Sequence, residues 1–129
     1  IQQLNLQDRV ILPGFQSNVL EWLKASDVFV ICSTSEATSV SLIESMAVGL
    51  PAIATRVGGN PFVVDENRTA LLVPASDADA LVEAMQTFLN NPSQRTAFGE
   101  CARQRFEQMF ESRTMLDAYA EIYERLVHG

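Results

Sequence analysis

Four short apolar runs constrain this chain more than any other feature: residues 9–13 (RVILP), 27–31 (DVFVI), 51–55 (PAIAT) and 70–73 (ALLV). None of them alternates apolar with polar residues. A half-exposed strand alternates, because successive side chains point to opposite faces, whereas an unbroken apolar run suits a strand covered on both faces, as in a parallel sheet. The segments between the runs read as helices. Residues 18–25 (NVLEWLKA) open with Asn-x-x-Glu, residues 40–48 stop at Gly49 with Pro51 beyond, and residues 61–65 form a short piece. Strand, helix, strand, helix is the order that right-handed crossovers in a parallel sheet require, so the expected class is α/β, with about four parallel strands and helices on both faces.

After Val73 the alternation ends. Residues 77–90 (DADALVEAMQTFLN), residues 91–110 with Asn91 as cap and Pro92 at the first helical position, and residues 112–127 (SRTMLDAYAEIYERLV) all read as helix, giving a helical C-terminal tail. On the last of these, Met115, Tyr119, Ile122 and Leu126 recur at helical spacing, and Leu116 and Tyr123 widen the stripe. A stripe of this kind ordinarily faces a core.

At 129 residues and 47% hydrophobic, the chain has the length of one domain and the means to bury a core. Its net charge is -7, with one lysine and eight scattered arginines, which argues against a nucleic-acid or anionic-membrane surface. Cys32 and Cys101 have neither CxxC nor Cys/His spacing, so reduced thiols in a cytoplasmic protein are expected rather than a disulfide or zinc site. No apolar run approaches the roughly 20 residues of a transmembrane segment. The opening IQQLNLQDR is not a signal peptide; it lacks a methionine and looks like the end of a helix, which suggests a piece of something longer. His128, the only histidine, has no acidic or thiol partner in sight and is expected at the surface. With no Ser/His/Asp set and no Walker loop, hydrolase and phosphate-loop readings fall away.

The strand ending at Ile31 brings the chain to the carboxyl edge of the sheet, where open α/β sheets bind ligands. There residues 35–59 read SEATSVSLIESMAVGLPAIATRVGG. Glu36 stands at that edge. The next helix is expected to begin near residues 38–40, with its first amides unpaired and its dipole favouring an anion such as phosphate. Ala37, Thr38 and Ser39 are small enough to let a ligand reach that backbone. Glu44 follows Glu36 after seven residues without charge, one to two turns into the helix, while Ile43, Met46, Ala47 and Leu50 can face the sheet. A carboxylate accepts hydrogen bonds from vicinal hydroxyls, so two carboxylates beside phosphate-binding amides suit a sugar joined to a phosphate. Gly58 and Gly59 return to the same edge and permit φ > 0 and close backbone approach. Blander readings stand beside these. Ser33-x-x-Glu36 and Ser41-x-x-Glu44 each match a capping box, and the glycine pair also reads as a plain turn. The residues alone leave both open.

In order and spacing these features resemble the C-terminal, donor-binding domain of family 4 retaining glycosyltransferases of the GT-B fold. The resemblance rests on PGF (13–15), DVFVICSTSE (27–36), E-x7-E from Glu36 to Glu44, ESMAVGLPAIAT (44–55), VGGNP (57–61), ALLVPASDADAL (70–81) and YAEIYERLV (119–127), and so covers nearly the whole chain. It implies a Rossmann-like, partial GT-B C-terminal domain: residues 1–129 are a single partial domain that binds a nucleotide-sugar, with the acceptor-binding N-terminal domain and the first strands of this domain absent. By this resemblance Glu44 takes the ribose hydroxyls, and Glu36 takes the donor-sugar hydroxyls and is the catalytic candidate. The turn from Ala37 through Thr38, Ser39 and Val40 serves the diphosphate or the hexose, and Gly58 and Gly59 border the nucleotide. Ala37 stands where the family usually has glycine, and Phe62 where GGxPE has glutamate. No metal or other cofactor is implied, since helix amides and basic side chains meet the phosphate charge.

The implied activity is transfer of a sugar from an NDP-sugar to an unidentified acceptor, by a cytoplasmic enzyme that reaches a membrane only through missing parts. The isolated piece is expected to be inactive. A GT-B epimerase or phosphorylase, or a non-catalytic assembly module, are the alternatives. The family's sheet order separates residues 9–13 from residues 27–31 by two strands missing here. Such a piece must leave edges open, pair those runs directly or borrow from another copy, and a homodimer is expected.

Overall fold

The computed structural model describes residues 1–128; Gly129 and the side chain of His128, with the surface expectation for it, lie outside the described residues. After a 3-10 turn at Gln2–Leu4 the elements run α1 (Val19–Lys24), β1 (Phe29–Ile31), α2 (Val40–Ala47), β2 (Ala52–Thr55), α3 (Asn60–Val63), β3 (Ala70–Val73), α4 (Ala78–Asn90), α5 (Pro92–Met109) and α6 (Ser112–His128). The three strands form one parallel sheet in the order β1-β2-β3, with Val30 opposite Ile53 and Ile53 opposite Leu71.

Alternate side chains of each strand serve opposite cores, as the strand period of two requires. Ala52, Ala54 and Ala70 face one layer with Leu42 and Met46 of α2 and Ala102 of α5. Ile53 and Val73 face the other, with Ala84 and Phe88 of α4 and Phe98 of α5. Helices therefore cover both faces, and α5 is long enough to contribute to both layers. The Phe88 and Phe98 rings meet edge to face at 5.3 Å, a geometry that adds about 0.5 to 1.5 kcal/mol to the area they bury.

Two expectations are corrected. Residues 9–13 form no strand, so the sheet has three strands rather than four. A strand needs a neighbour to take its backbone N–H and C=O groups, and this run has none: the amides of Arg9 and Val10 bond back to the Leu6 carbonyl in a turn, and Ile11 and Leu12 are 76% and 78% exposed. The α6 stripe is the second correction. Met115, Leu116, Tyr119, Ile122, Tyr123 and Leu126 are all exposed, because among the described residues α6 packs on the rest of the chain mainly against α5.

Candidate functional site

The carboxyl ends of β1 and β2 release two loops, residues 32–39 and 56–59, that lie against each other. Ser39 ends the first loop and caps α2: its Oγ accepts from the Leu42 amide at 3.2 Å, and the Ser41 hydroxyl sits 3.1 Å from it. The amides of Val40 and Ser41, in the first turn, have no acceptor within the helix. They open at the sheet edge just after Thr38, which is exposed. The helix starts within the expected residues 38–40, but its cap is Ser39 rather than either serine of the two capping-box matches, Ser33 and Ser41.

Glu36 is half-buried, and its Oε1 accepts from the Ser33 hydroxyl at 2.7 Å. No helix begins at Ser33, so this serine holds the carboxylate and caps nothing. Glu44 lies in the second turn of α2 on the face opposite the buried Leu42 and Met46. It is exposed and forms no ion pair among the described residues. Ser41 and Glu44 both fall inside α2, and Ser39 is the cap. Neither glutamate therefore satisfies a helix end, which removes the capping-box alternative for both.

Gly58 and Gly59 do provide close approach, to the chain itself. A Cβ on Gly58, at φ +51°, would stand 1.5 Å from the Glu36 carbonyl oxygen, and one on Gly59 would stand 2.3 Å from that of Ala37. The Gly59 amide donates to the Ala37 carbonyl at 2.7 Å. Only residues without a side chain let these loops touch, so the structure brings Glu36, Ala37, Thr38, Gly58 and Gly59 together, with Ser39 and Val40 following directly as the cap and first residue of α2 and Glu44 one turn further along it.

Several supporting residues escape a reading by motif. The Thr55 hydroxyl donates to the Ser33 carbonyl at 2.6 Å, and the Asn60 Nδ2 donates to the Thr55 carbonyl at 3.0 Å. Asn60 is fully buried, and its Oδ1 has no hydrogen-bond partner among the described residues. Arg105 of α5 donates from Nε to the Val63 carbonyl at 2.7 Å and from a terminal nitrogen to that of Phe62 at 2.9 Å, so its fork caps α3. A hydroxyl closing an apolar strand and an asparagine before a proline were the available signals. Arg105 gave none, since its partners lie more than forty residues away. Arg56, the basic side chain nearest in sequence, is bonded to Glu66.

Residues 1–105 match the family model described as Glycosyl transferases group 1. N-acetyl-alpha-D-glucosaminyl L-malate synthase of Bacillus anthracis is 33% identical over 123 residues, which cover 95% of this chain and 32% of that protein. Sucrose-phosphate synthase of Thermosynechococcus elongatus superposes with a TM-score of 0.87 at 34% identity, covering 98% of this chain and 32% of the other. The structure of Anabaena HepE in complex with UDP superposes with a TM-score of 0.91 over 96% of this chain and 34% of its own, at 22% identity, a likeness of fold. The chain thus spans about a third of the length of the relatives it matches.

Proposed function

Because the chain belongs to the glycosyl transferases group 1 family, we propose that it is the donor-binding part of a retaining glycosyltransferase, which moves a sugar from an NDP-sugar to an acceptor held mainly by the rest of the enzyme. The observation that carries this reading is the arrangement at the sheet edge: an open helix N-terminus, with a carboxylate fixed just before it and a second carboxylate free on its flank. Phosphate belongs at the first, worth about 0.3 to 2 kcal/mol from the helix dipole alone. Hydroxyls belong at the carboxylates. Glu36, nearer the loop contact, takes the donor sugar; Glu44, further along α2, takes the ribose; Ala37, Thr38, Ser39 and Val40 line the phosphate between them. Gly58 and Gly59 border the nucleotide and hold the Glu36 turn in place.

As the bond from the anomeric carbon to the diphosphate breaks, positive charge grows on the sugar and negative charge on the leaving group. The Glu36 carboxylate favours the first and the α2 amides favour the second, so both contacts strengthen on the way to the transition state. In this reading the helix terminus, with basic side chains from elsewhere in the enzyme, meets the phosphate charge without a metal. The HepE structure of the same fold contains UDP, which supports a nucleoside diphosphate as the ligand class. We further read the protein as cytoplasmic; no helix among the described residues is long and apolar enough to cross a membrane. A homodimer is the proposed state of the isolated chain, since β1 is an edge strand with one side of its backbone unpaired in the sheet, and residues 10–12 and the α6 stripe present apolar surface.

Calorimetric titration of the intact enzyme that carries this chain, with UDP, GDP and ADP and their sugars, tests the reading. Glu44→Ala should weaken free nucleotide and nucleotide-sugar alike, by about tenfold or more, since a hydrogen bond to a charged group contributes about 1.5 to 3 kcal/mol. Glu36→Ala should spare the free nucleotide, remove the extra affinity that the sugar confers and lower the transfer rate. Equal losses of stability with unchanged affinities would refute it. Epimerisation or phosphorolysis in place of transfer would refute the reaction while keeping the site.

A further inference from the structure

A chain of hydrogen bonds from β2 and α3 ends on Glu36. Thr55, the last residue of β2 and 2% exposed, reaches across the sheet edge to the Ser33 carbonyl at 2.6 Å. Ser33 then turns its own hydroxyl onto Oε1 of Glu36 at 2.7 Å. Behind Thr55, the buried Asn60 amide bonds the Thr55 carbonyl at 3.0 Å, and one residue earlier the Gly59 amide takes the Ala37 carbonyl at 2.7 Å. The turn that carries Glu36 is therefore gripped at residue 33 and again at residue 37, both times from the segment 55–60.

The choice of residue at 55 is informative. β2 is otherwise Ala52, Ile53 and Ala54, all fully buried, and valine would fill the space of threonine in such a strand. A buried hydroxyl is costly unless it is bonded, and this one is bonded to the turn that carries Glu36. We propose that Thr55, Ser33 and Asn60 are positioning residues that fix the Glu36 carboxylate for the donor sugar: Ser33 holds Oε1 and the carboxylate plane, and Oε2 is left for the sugar hydroxyls. The proposal rests on the reading of Glu36 as the sugar-binding group. Its physical content is preorganisation, because a reacting group displaced by about 1 Å loses much of its effect on the rate.

Three variants of the protein that carries this chain, Thr55→Val, Thr55→Ser and Ser33→Ala, test it with two measurements. The first is amide hydrogen exchange over residues 33–38, which needs no ligand. The second is the ratio of affinities for UDP-glucose and UDP, with the GDP and ADP pairs run alongside. Thr55→Val should speed exchange in the turn by about tenfold or more, and Thr55→Ser should restore it. Thr55→Val and Ser33→Ala should each lower the sugar-dependent part of the affinity by about tenfold and leave free nucleotide unchanged. Unchanged exchange in Thr55→Val, or equal loss for nucleotide and nucleotide-sugar, overturns the proposal. Should Thr55→Val fail to fold, Ser33→Ala decides at a half-buried position, and an intact sugar-dependent affinity there overturns it equally. A wild-type protein that gains no affinity from the sugar brings down the reading of Glu36 and this proposal together; the exchange data distinguish that result from failure of the grip itself.

Discussion

Residues 9–13 and 51–55 carry nearly the same pattern, RVILP against PAIAT, and meet opposite fates. The second becomes β2, the centre of the sheet, with every residue buried between α2 and α4 and hydrogen-bonded on both sides. The first leaves a turn at Arg9 and runs on exposed and without regular structure. The difference is not in propensity, since valine, isoleucine and leucine favour a strand more than two alanines do. It lies in the neighbours: β2 is flanked by Phe29–Ile31 and Ala70–Val73, whereas residues 9–13 have no strand beside them. An apolar run specifies a strand only where something else supplies the ladder.

The largest expected effect follows directly. Ile53→Ala, at a fully buried position facing Phe88, should cost about 2 to 5 kcal/mol by lost transfer energy and a residual cavity. Chemical denaturation of the variant measures it, and a cost below 1 kcal/mol would mean that β2 is not the centre of a packed core. Next come two glycines with left-handed backbones, Gly58 at φ +51° and Gly14 at φ +70°. A Cβ at Gly58 collides with the Glu36 carbonyl, while one at Gly14 meets nothing within 4 Å. Gly14→Ala should cost at most about 1 to 2 kcal/mol, the intrinsic price of the conformation for an L-residue. Gly58→Ala should cost more and should also lower nucleotide-sugar affinity, because the turn with Glu36 must move. Equal costs in thermal unfolding would show that the contact between the two loops is looser than the distances imply.

How much of this could be read beforehand depends on the range over which each feature is determined. The sites of β1, β2 and β3, the start of α2 at Ser39 and the stop of α4 before Asn91 and Pro92 follow from local residues, and all are found. The grouping of Glu36, Ala37, Thr38, Gly58 and Gly59 was legible for a different reason, since parallel strands deliver successive loops to one edge. What the glycines approach was not legible. Their contact is with backbone some twenty residues earlier, and any ligand or loop would have required the same small residues. The grip of Thr55 on Ser33 and the Arg105 fork on α3 depend on register and helix placement that no short window contains. The α6 stripe marks the limit of periodicity: it identifies an apolar face without identifying what covers it.

A smaller effect separates the cap from the carboxylate. Ser39→Ala removes the acceptor of the Leu42 amide and should cost about 1 kcal/mol of stability. Glu44→Ala, on an exposed helical face, should change stability by less than about 0.5 kcal/mol. Thermal unfolding of the two variants side by side checks this, and a cost for Glu44→Ala equal to that of Ser39→Ala would restore to Glu44 a structural role that its position in α2 denies it.

The smallest expected effect on folding lies at the other end of the comparison. Ile11 and Leu12 are 76% and 78% exposed, so serine at both positions removes little that folding buries and should leave stability within about 0.5 kcal/mol. Association should respond where folding does not. If residues 9–13 find in a second copy the neighbour they lack in their own chain, wild type should dimerise as concentration rises, and Ile11→Ser with Leu12→Ser should shift it to monomer. Sedimentation at several concentrations, paired with unfolding of the same samples, separates the two effects. A double variant that unfolds much more easily would mean that this run already packs against its own chain. A wild type that stays monomeric throughout would mean that exposure of the run is its settled state in the isolated chain.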